Sequence, residues 1–521
     1  MPHCHHFMDI IISLFSISIF IFLLLKFRPP AALFSSHSSP STYPLIGCLL
    51  SFYKNRHRLL DWYTELLSKS ATGTIVIRRL GCRRTVVTTN PVNVEYILTT
   101  HFLNFPKGKP FTEILGDFLG CGIFNVDGEL WRTQRKLASH EFSAKSLREF
   151  VVKTLELEVE NRLLPTIEAS ARDNVVVDLQ ELLRGFAFSV ICKVLLGGEE
   201  EAISELEKSF DVASEVSAGR ATKPVYMIWK LKRWFGVGSE RRLKMAVAEV
   251  HRKVMNIIEK RKKKKKIQDF HDSEDLLSWL ISVGHDDEVI RDMAISFIMA
   301  GRDTTSAAMT WLFWLLTRHP NVEKQLVEEI NFESTLVVEK KFDYKSLKEL
   351  KFLKACLCET MRLYPPVPWD SKHAIVNDCL PDGTPVQAGD KVTYFPYGMG
   401  RMEEVWGKDR FEFKPSRWLL EPEGRGRRRG VKLVSPYKFP IFQAGPRVCL
   451  GKEMAFIQMK YVVASILSRF RIKPIATAAA AASDDPVFVP LLTAHMAGGF
   501  KVLFQRREKE RENSKHTKFP I

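Results

Sequence analysis

FQAGPRVCLG, residues 442–451, followed without a break by the helix-forming KEMAFIQMKYVVASIL (452–467), decides the reading of this chain. A cysteine at the start of a helix meets the positive end of the helix dipole and unpaired backbone amides, both of which favour its thiolate. Cys449 occupies that place, which suits a metal ligand. Around it, Gly445 permits a tight backbone turn and Gly451 the close approach of a flat ligand. Arg447 offers an ion pair to a carboxylate, and Phe442 shields the sulfur from water. Five such fixed residues in ten positions arise by chance in a chain of this length at odds on the order of one in ten thousand.

Working outward, the segment from Glu288 to Thr317 has a helical pattern thirty residues long, about 45 Å at the usual rise. It is apolar enough to mimic a membrane span, yet Arg302, Asp303, Thr304 and Thr305 sit together in its middle. Such a cluster marks a functional site inside a core helix. His319 and Pro320 end the helix, and another helix from Lys351 to Tyr364 stops at Pro365 and Pro366. Short strands begin at Thr74, and the glycine- and phenylalanine-rich stretch from His101 to Phe124 reads as an aromatic, mobile loop. Helical periodicity dominates from Gly128 to about Ser217. A further helix runs from Ser239 towards the basic run Arg261 to Lys266, itself read as a solvated loop. Arg425 to Arg429 and the alanine run Ala478 to Ala482 are also read as loops.

The chain has 521 residues, 77 Lys and Arg against 60 Asp and Glu, a net charge of +17 and nine cysteines. With 45% hydrophobic and 26% charged residues, it is neither a disordered polymer nor a polytopic membrane protein. An odd cysteine count without CxxC spacing argues against a disulfide framework and a zinc module, leaving eight ordinary thiols beside Cys449. Sixteen uncharged residues from Ile10 to Leu25 precede Lys26 and Arg28. That order predicts an uncleaved membrane anchor with the body on the cytosolic side, whereas a signal peptide places its charge before the apolar run. The expected organisation is an anchor (1–28), a Pro/Ser-rich linker (29–42), one folded domain (43–506) and a charged tail (507–521).

The 442–451 stretch matches FxxGxRxCxG, and on it the chain resembles the cytochrome P450 superfamily. The resemblance implies a mainly α fold with small β-sheets, an α+β haem domain behind the anchor helix. It implies haem b (iron protoporphyrin IX) held by Cys449, whose thiolate favours O–O bond cleavage, with O2 as co-substrate. Glu359 and Arg362 (ETMR), three apart on one helical face, resemble the family's ExxR pair, and Arg417 in FKPSRW the arginine that joins it; this triad is architectural. Trp131 and Arg135 (WRTQR) resemble the pair that contacts one haem propionate. For the other propionate the candidates are Lys372 and His373. Ala300 and Gly301 resemble the residues that leave room over the haem, with Gly301 making a groove. Asp303 and Thr304 resemble the acid and hydroxyl that relay protons during oxygen activation. That pair favours a monooxygenase over a haem-thiolate isomerase or dehydratase of hydroperoxides, and the cysteine motif argues against a non-catalytic membrane scaffold.

NFPKG (104–108), FNVDGELWRTQRKLASHEFS (124–143) and PPVPWDSKHA (365–374) are similar to plant enzymes that oxidise the ω carbon of fatty acids or of jasmonoyl-isoleucine. The resemblance implies an amphipathic carboxylate substrate in a pocket lined by Phe105, Phe111, Phe124, Val367, Trp369, Leu492 and Thr493, with Lys107 or Lys109 near the carboxylate. No nucleotide-binding fingerprint is present, so NADPH acts indirectly, through a flavoprotein reductase. Lys452, Arg447 and the 425–429 loop are candidates to steer that partner. The remaining expected partner is a lipid membrane, that of the endoplasmic reticulum, crossed once; nucleic acid is not expected.

Overall fold

The computed structural model describes residues 40–143, 145–197, 200–222, 227–267, 276–282, 284–335, 342–420, 430–475, 486–490 and 492–507. The expected anchor, most of the linker, the 425–429 loop, the alanine run and nearly all of the tail lie outside the described residues. Among those described, no helix is long and apolar enough to cross a membrane. The eight cysteines among them are free.

The architecture is mainly helical with small sheets, as expected. After helix α1 (Leu59–Ser68), strands β1 (Thr74–Ile77) and β2 (Thr85–Thr88) form a hairpin, followed by α2 (Gly108–Leu119) and α3 (Gly128–Ser143). Strand β3 (Val177–Asp178) leads into α4 (Leu179–Leu196), then α5 (Glu200–Thr222), α6 (Met227–Phe235), α7 (Gly238–Ile267), α8 (Asp287–Arg318) and α9 (Lys351–Leu363). Strands β4 (Asp370–His373) and β5 (Lys391–Tyr394) precede α10 (Lys452–Leu467), β6 (Phe470–Pro474), β7 (Phe488–Pro490), β8 (Ala494–Met496) and β9 (Lys501–Arg506). The principal sheet has the order β1-β2-β5-β4, with β2 and β5 parallel and β4 on the edge.

Local chemistry sets these boundaries. The Asp178 carboxylate accepts from the Gln180 amide at 3.1 Å and caps α4, whose far end closes on Gly197 at φ +55°, a conformation glycine adopts without penalty. Helix α8 spans 32 residues and is buried along most of its length. Its first half, Ile290 to Ile298, packs into one core with α2, α4 and α7, and its second half, Ala308 to Leu316, into another with α9 and α10. Ala300 to Thr305 lie at the changeover, so the polar cluster sits where the two cores part.

Two expectations need correction. The stretch 101–124 is not a loop: Phe111, Ile114, Leu115, Phe118 and Leu119 recur at helical spacing and form the inner face of α2, which glycines at both ends disguise. The basic run 261–266 is not a solvated loop either but continues α7. Arg261 donates from Nη2 to the Leu196 carbonyl at 2.9 Å, and Lys262 pairs with Asp287.

Candidate active site

A cavity of about 370 Å³ lies between α8, α3, strand β4 and the segment leading into α10. Cys449 lines it. The cysteine stands two residues before Gly451, the residue that precedes α10, and its amide donates to the Phe442 carbonyl at 2.7 Å. Burial pushes the Cys449 thiol pKa up, while the Gly451 amide, Arg135 and Lys452 act in the opposite direction. The loop needs its glycine: Gly445 has φ +64°, and a Cβ there would meet the Leu98 carbonyl oxygen at 2.2 Å. Gln443 has φ +58° and ψ −172° without being glycine, a strain of order 1–3 kcal/mol. Its side-chain oxygen is buried without a partner, and the residue lines the cavity. Phe442 lines the cavity beside the cysteine and packs on Phe456 at 5.3 Å.

On the opposite wall are Ala300, Gly301, Thr304 and Thr305 of α8. Thr304 donates its hydroxyl to the Ala300 carbonyl at 2.7 Å. Gly301 has a second reason to lack a side chain: a Cβ there would meet Ile191 of α4 at 2.8 Å, so the glycine also lets the two helices approach. Asp303 turns away from the cavity. It is buried against Arg302, with Nε to Oδ1 at 2.7 Å, and lies 3.6 Å from Arg184; both arginines reach Asp211. Burial disfavours the Asp303 carboxylate, but Arg302 and Arg184 outweigh this and hold its pKa below the ordinary value.

The third wall is cationic. Trp131 is buried with the Arg447 guanidinium 4.5 Å over its ring, and Arg135 lines the cavity beside it. Arg447 is partly committed within the protein: its Nη2 contacts Asp127 and the Val126 carbonyl, each at 2.8 Å, its Nη1 the Ile123 carbonyl at 3.3 Å, and its Nε has no partner. Lys372, not His373, lines the cavity, together with Asp370 on the same face of β4. The Lys372 ammonium is wholly buried, has no hydrogen-bond partner and stands 3.6 Å from Asp370. Burial and the neighbouring Lys107 push its pKa down to about 7. Lys107 is buried too, its Nζ 2.5 Å from Asp370, so it is committed within the protein; Lys109 is exposed and off the cavity wall.

Of the expected substrate-pocket residues, Phe111, Phe124, Val367, Trp369, Leu492 and Thr493 line the cavity. Phe105 does not: it is fully buried in the core beneath the principal sheet, against Tyr96. Sequence reasoning passed over Asp127, Asp370 and Lys391. The first two stand inside motifs it quoted, and their burial beside cations has no periodic signature.

The residues present fit haem. A thiol lines a cavity walled by apolar side chains and small helix residues, and the unpartnered buried nitrogens of Lys372 and Arg447 suit the carboxylates of propionates. Away from the cavity, Glu359 and Arg362 are fully buried, with Nε to Oε2 at 2.8 Å, and Arg417 reaches Glu359 at 3.4 Å.

The family model described as Cytochrome P450 matches residues 38–492. Cytochrome P450 94B1 of Arabidopsis thaliana is 58% identical over 482 residues, covering 91% of this chain and 92% of the relative. Cytochrome P450 94B3 of the same plant is 56% identical over 504 residues, 93% of this chain and 97% of the relative. Cytochrome P450 94A1 of Vicia sativa is 44% identical over 476 residues, 90% and 91% respectively.

Proposed function

The chain belongs to the cytochrome P450 family and is a haem-thiolate monooxygenase using O2 and NADPH-derived electrons delivered by a reductase, and from that premise we propose that it oxidises the terminal carbon of an amphipathic carboxylate, a fatty acid or jasmonoyl-isoleucine. The observation that carries this reading is the make-up of the cavity: an apolar wall including Phe111, Phe124, Phe297 and Leu492 for an alkyl tail, together with more cations than the cavity's acids balance.

Cys449 would hold haem through Sγ, with Trp131, Arg135, Lys372 and Arg447 at its carboxylates. Bound haem supplies oxygen activation and C–H oxidation. The protein's own part is to exclude water with the aromatic wall and to leave room at Ala300 and Gly301. Thr304 is the hydroxyl positioned to hand on a proton. Asp303 stands beside it in the chain but is turned away from the cavity and paired with Arg302, which also reaches the partly exposed Asp211. The exposed Ile228, Leu231, Trp234 and Phe235 on α6, beside Lys232 and Arg233, support a membrane-facing surface.

The test is turnover of dodecanoic acid and jasmonoyl-isoleucine with NADPH and a plant reductase. An ω-hydroxylated product from either supports the reading. Absence of product from both removes the ω-carboxylate claim. Turnover of hydroperoxides without NADPH would replace it with isomerase chemistry.

A further inference from the structure

The side chains lining the cavity include Lys107, Arg135, Lys372, Lys391 and Arg447 but a single acid, Asp370. Asp370 accepts from Lys107 and from the Tyr394 hydroxyl, the latter at 2.9 Å, and is thereby used. Asp127, outside the lining, and the Val126 and Ile123 carbonyls take both terminal nitrogens of Arg447. The two carboxylates of haem match Arg135, Lys372 and the remaining Arg447 Nε. Lys391 is left over: among the described residues its ammonium makes no hydrogen bond or ion pair, and burial and the charge of Arg79 both disfavour its protonated form.

Its place in the sheet separates it from the haem-facing cations. Strand β4 pairs with β5 so that Asp370 opposes Tyr394, Lys372 opposes Val392 and His373 opposes Lys391. Side chains alternate between the faces. Asp370, Lys372 and Tyr394 therefore occupy one face, and Trp369, Ser371, Thr393 and Lys391 the other. All but Thr393 line the cavity, which reaches both faces because β4 is the edge strand. On the Lys391 face, the Ser371 and Thr393 hydroxyls lie 2.9 Å apart, and Trp369 stacks near Phe395 at 6.4 Å. This arm therefore holds one unpaired cation, a hydroxyl pair and an aromatic wall, the chemistry that receives a carboxylate carried on an apolar chain.

We propose that Lys391, assisted by the Ser371 hydroxyl, binds the substrate carboxylate, and that the alkyl chain runs from there past Trp369 and Val367 to Ala300 and Thr304, on the wall opposite Cys449. The inference rests on the substrate being an alkyl carboxylate. It makes Lys391 a specificity residue: a neutral ester or alcohol of the same chain length lacks the group it recognises, and the variant should lose discrimination rather than turnover chemistry.

The experiment is spectral titration of haem-loaded wild type, Lys391→Gln and Lys391→Arg with dodecanoic acid and with methyl dodecanoate. Wild type should bind the acid more tightly than the ester. Lys391→Gln should weaken acid binding about tenfold, as loss of a charge-assisted contact does, leave the ester unchanged and abolish the preference. Lys391→Arg should restore it. Unchanged acid affinity in Lys391→Gln, or a parallel loss for acid and ester in both variants, overturns the assignment. Wild type binding neither probe would instead remove the alkyl-carboxylate reading on which the inference rests.

Discussion

Around Glu359 every polar hydrogen of a buried guanidinium is used, whereas around Asp370 a buried ammonium is left without a hydrogen-bond partner. Arg362 donates to Glu359 twice, to the Gly400, Arg410 and Glu412 carbonyls once each, and so satisfies all five of its N–H groups. Glu359 also accepts from the Trp418 indole at 2.8 Å and the Lys414 amide at 3.0 Å. Such a closed network pins α9 to the segment around Arg417 and needs nothing more. Asp370 faces Lys107 and Lys372 together, so one carboxylate confronts two ammonium groups, with Arg447 close by. The contrast separates charge that holds the fold from charge that awaits a ligand.

Removing one member of each cluster should therefore have opposite consequences. Glu359→Ala strands the Arg362 guanidinium and should cost the haem-free protein about 3–5 kcal/mol, read as a lowered denaturant midpoint or loss of soluble protein. A loss below about 1 kcal/mol would erase the distinction between the clusters. Lys372→Met should leave the haem-free protein as stable or more stable, because an unsatisfied buried charge disappears. Its haem retention, followed by transfer to an acceptor globin, should fall about tenfold. A destabilised apoprotein with normal haem retention would make Lys372 a structural residue.

A smaller effect should follow pH. The folded-state pKa of Lys372 is depressed to about 7 from 10.5. Between those values the unfolded chain holds a proton that the folded haem-free protein lacks, so stability rises with pH through that window and is lowest below pH 7. A bound carboxylate favours the ammonium and restores its proton. Haem binding should therefore take up a proton and weaken as pH climbs above about 7, measured as haem retention across that range. Lys372→Met should flatten the slope, and an unchanged slope in the variant would assign the dependence to another group.

How far the sequence reaches differs between these regions for the same physical reason. Cys449, Gly445 and the Glu359–Arg362 pair were legible because each depends on local spacing: a helix start, a left-handed turn, two residues on one helical face. The long helix was legible almost to its ends, since Pro320 and a continuous apolar face mark it. Helix α2 was missed because Gly108, Gly116 and Gly120 punctuate an otherwise regular apolar repeat. Phe105 was assigned to the pocket when the sheet buries it, because an aromatic residue carries no mark of which cavity or core it fills. The partners of Arg447 and Asp303, namely Asp127 and the Arg302–Asp211 pair, depend on contacts between distant segments. The choice between Lys372 and His373 depends on how the edge strand sits against the cavity, which the tetrapeptide DSKH alone does not fix.

The carbon monoxide difference spectrum of the reduced, haem-loaded protein, recorded for wild type and Cys449→Ser, bears most directly on the role of this cavity. Wild type should show the strongly red-shifted Soret band of a thiolate-ligated haem, and Cys449→Ser should lose it. A red-shifted band that survives in Cys449→Ser, or haem-replete wild type without one, would contradict the assignment of Cys449 as the haem ligand.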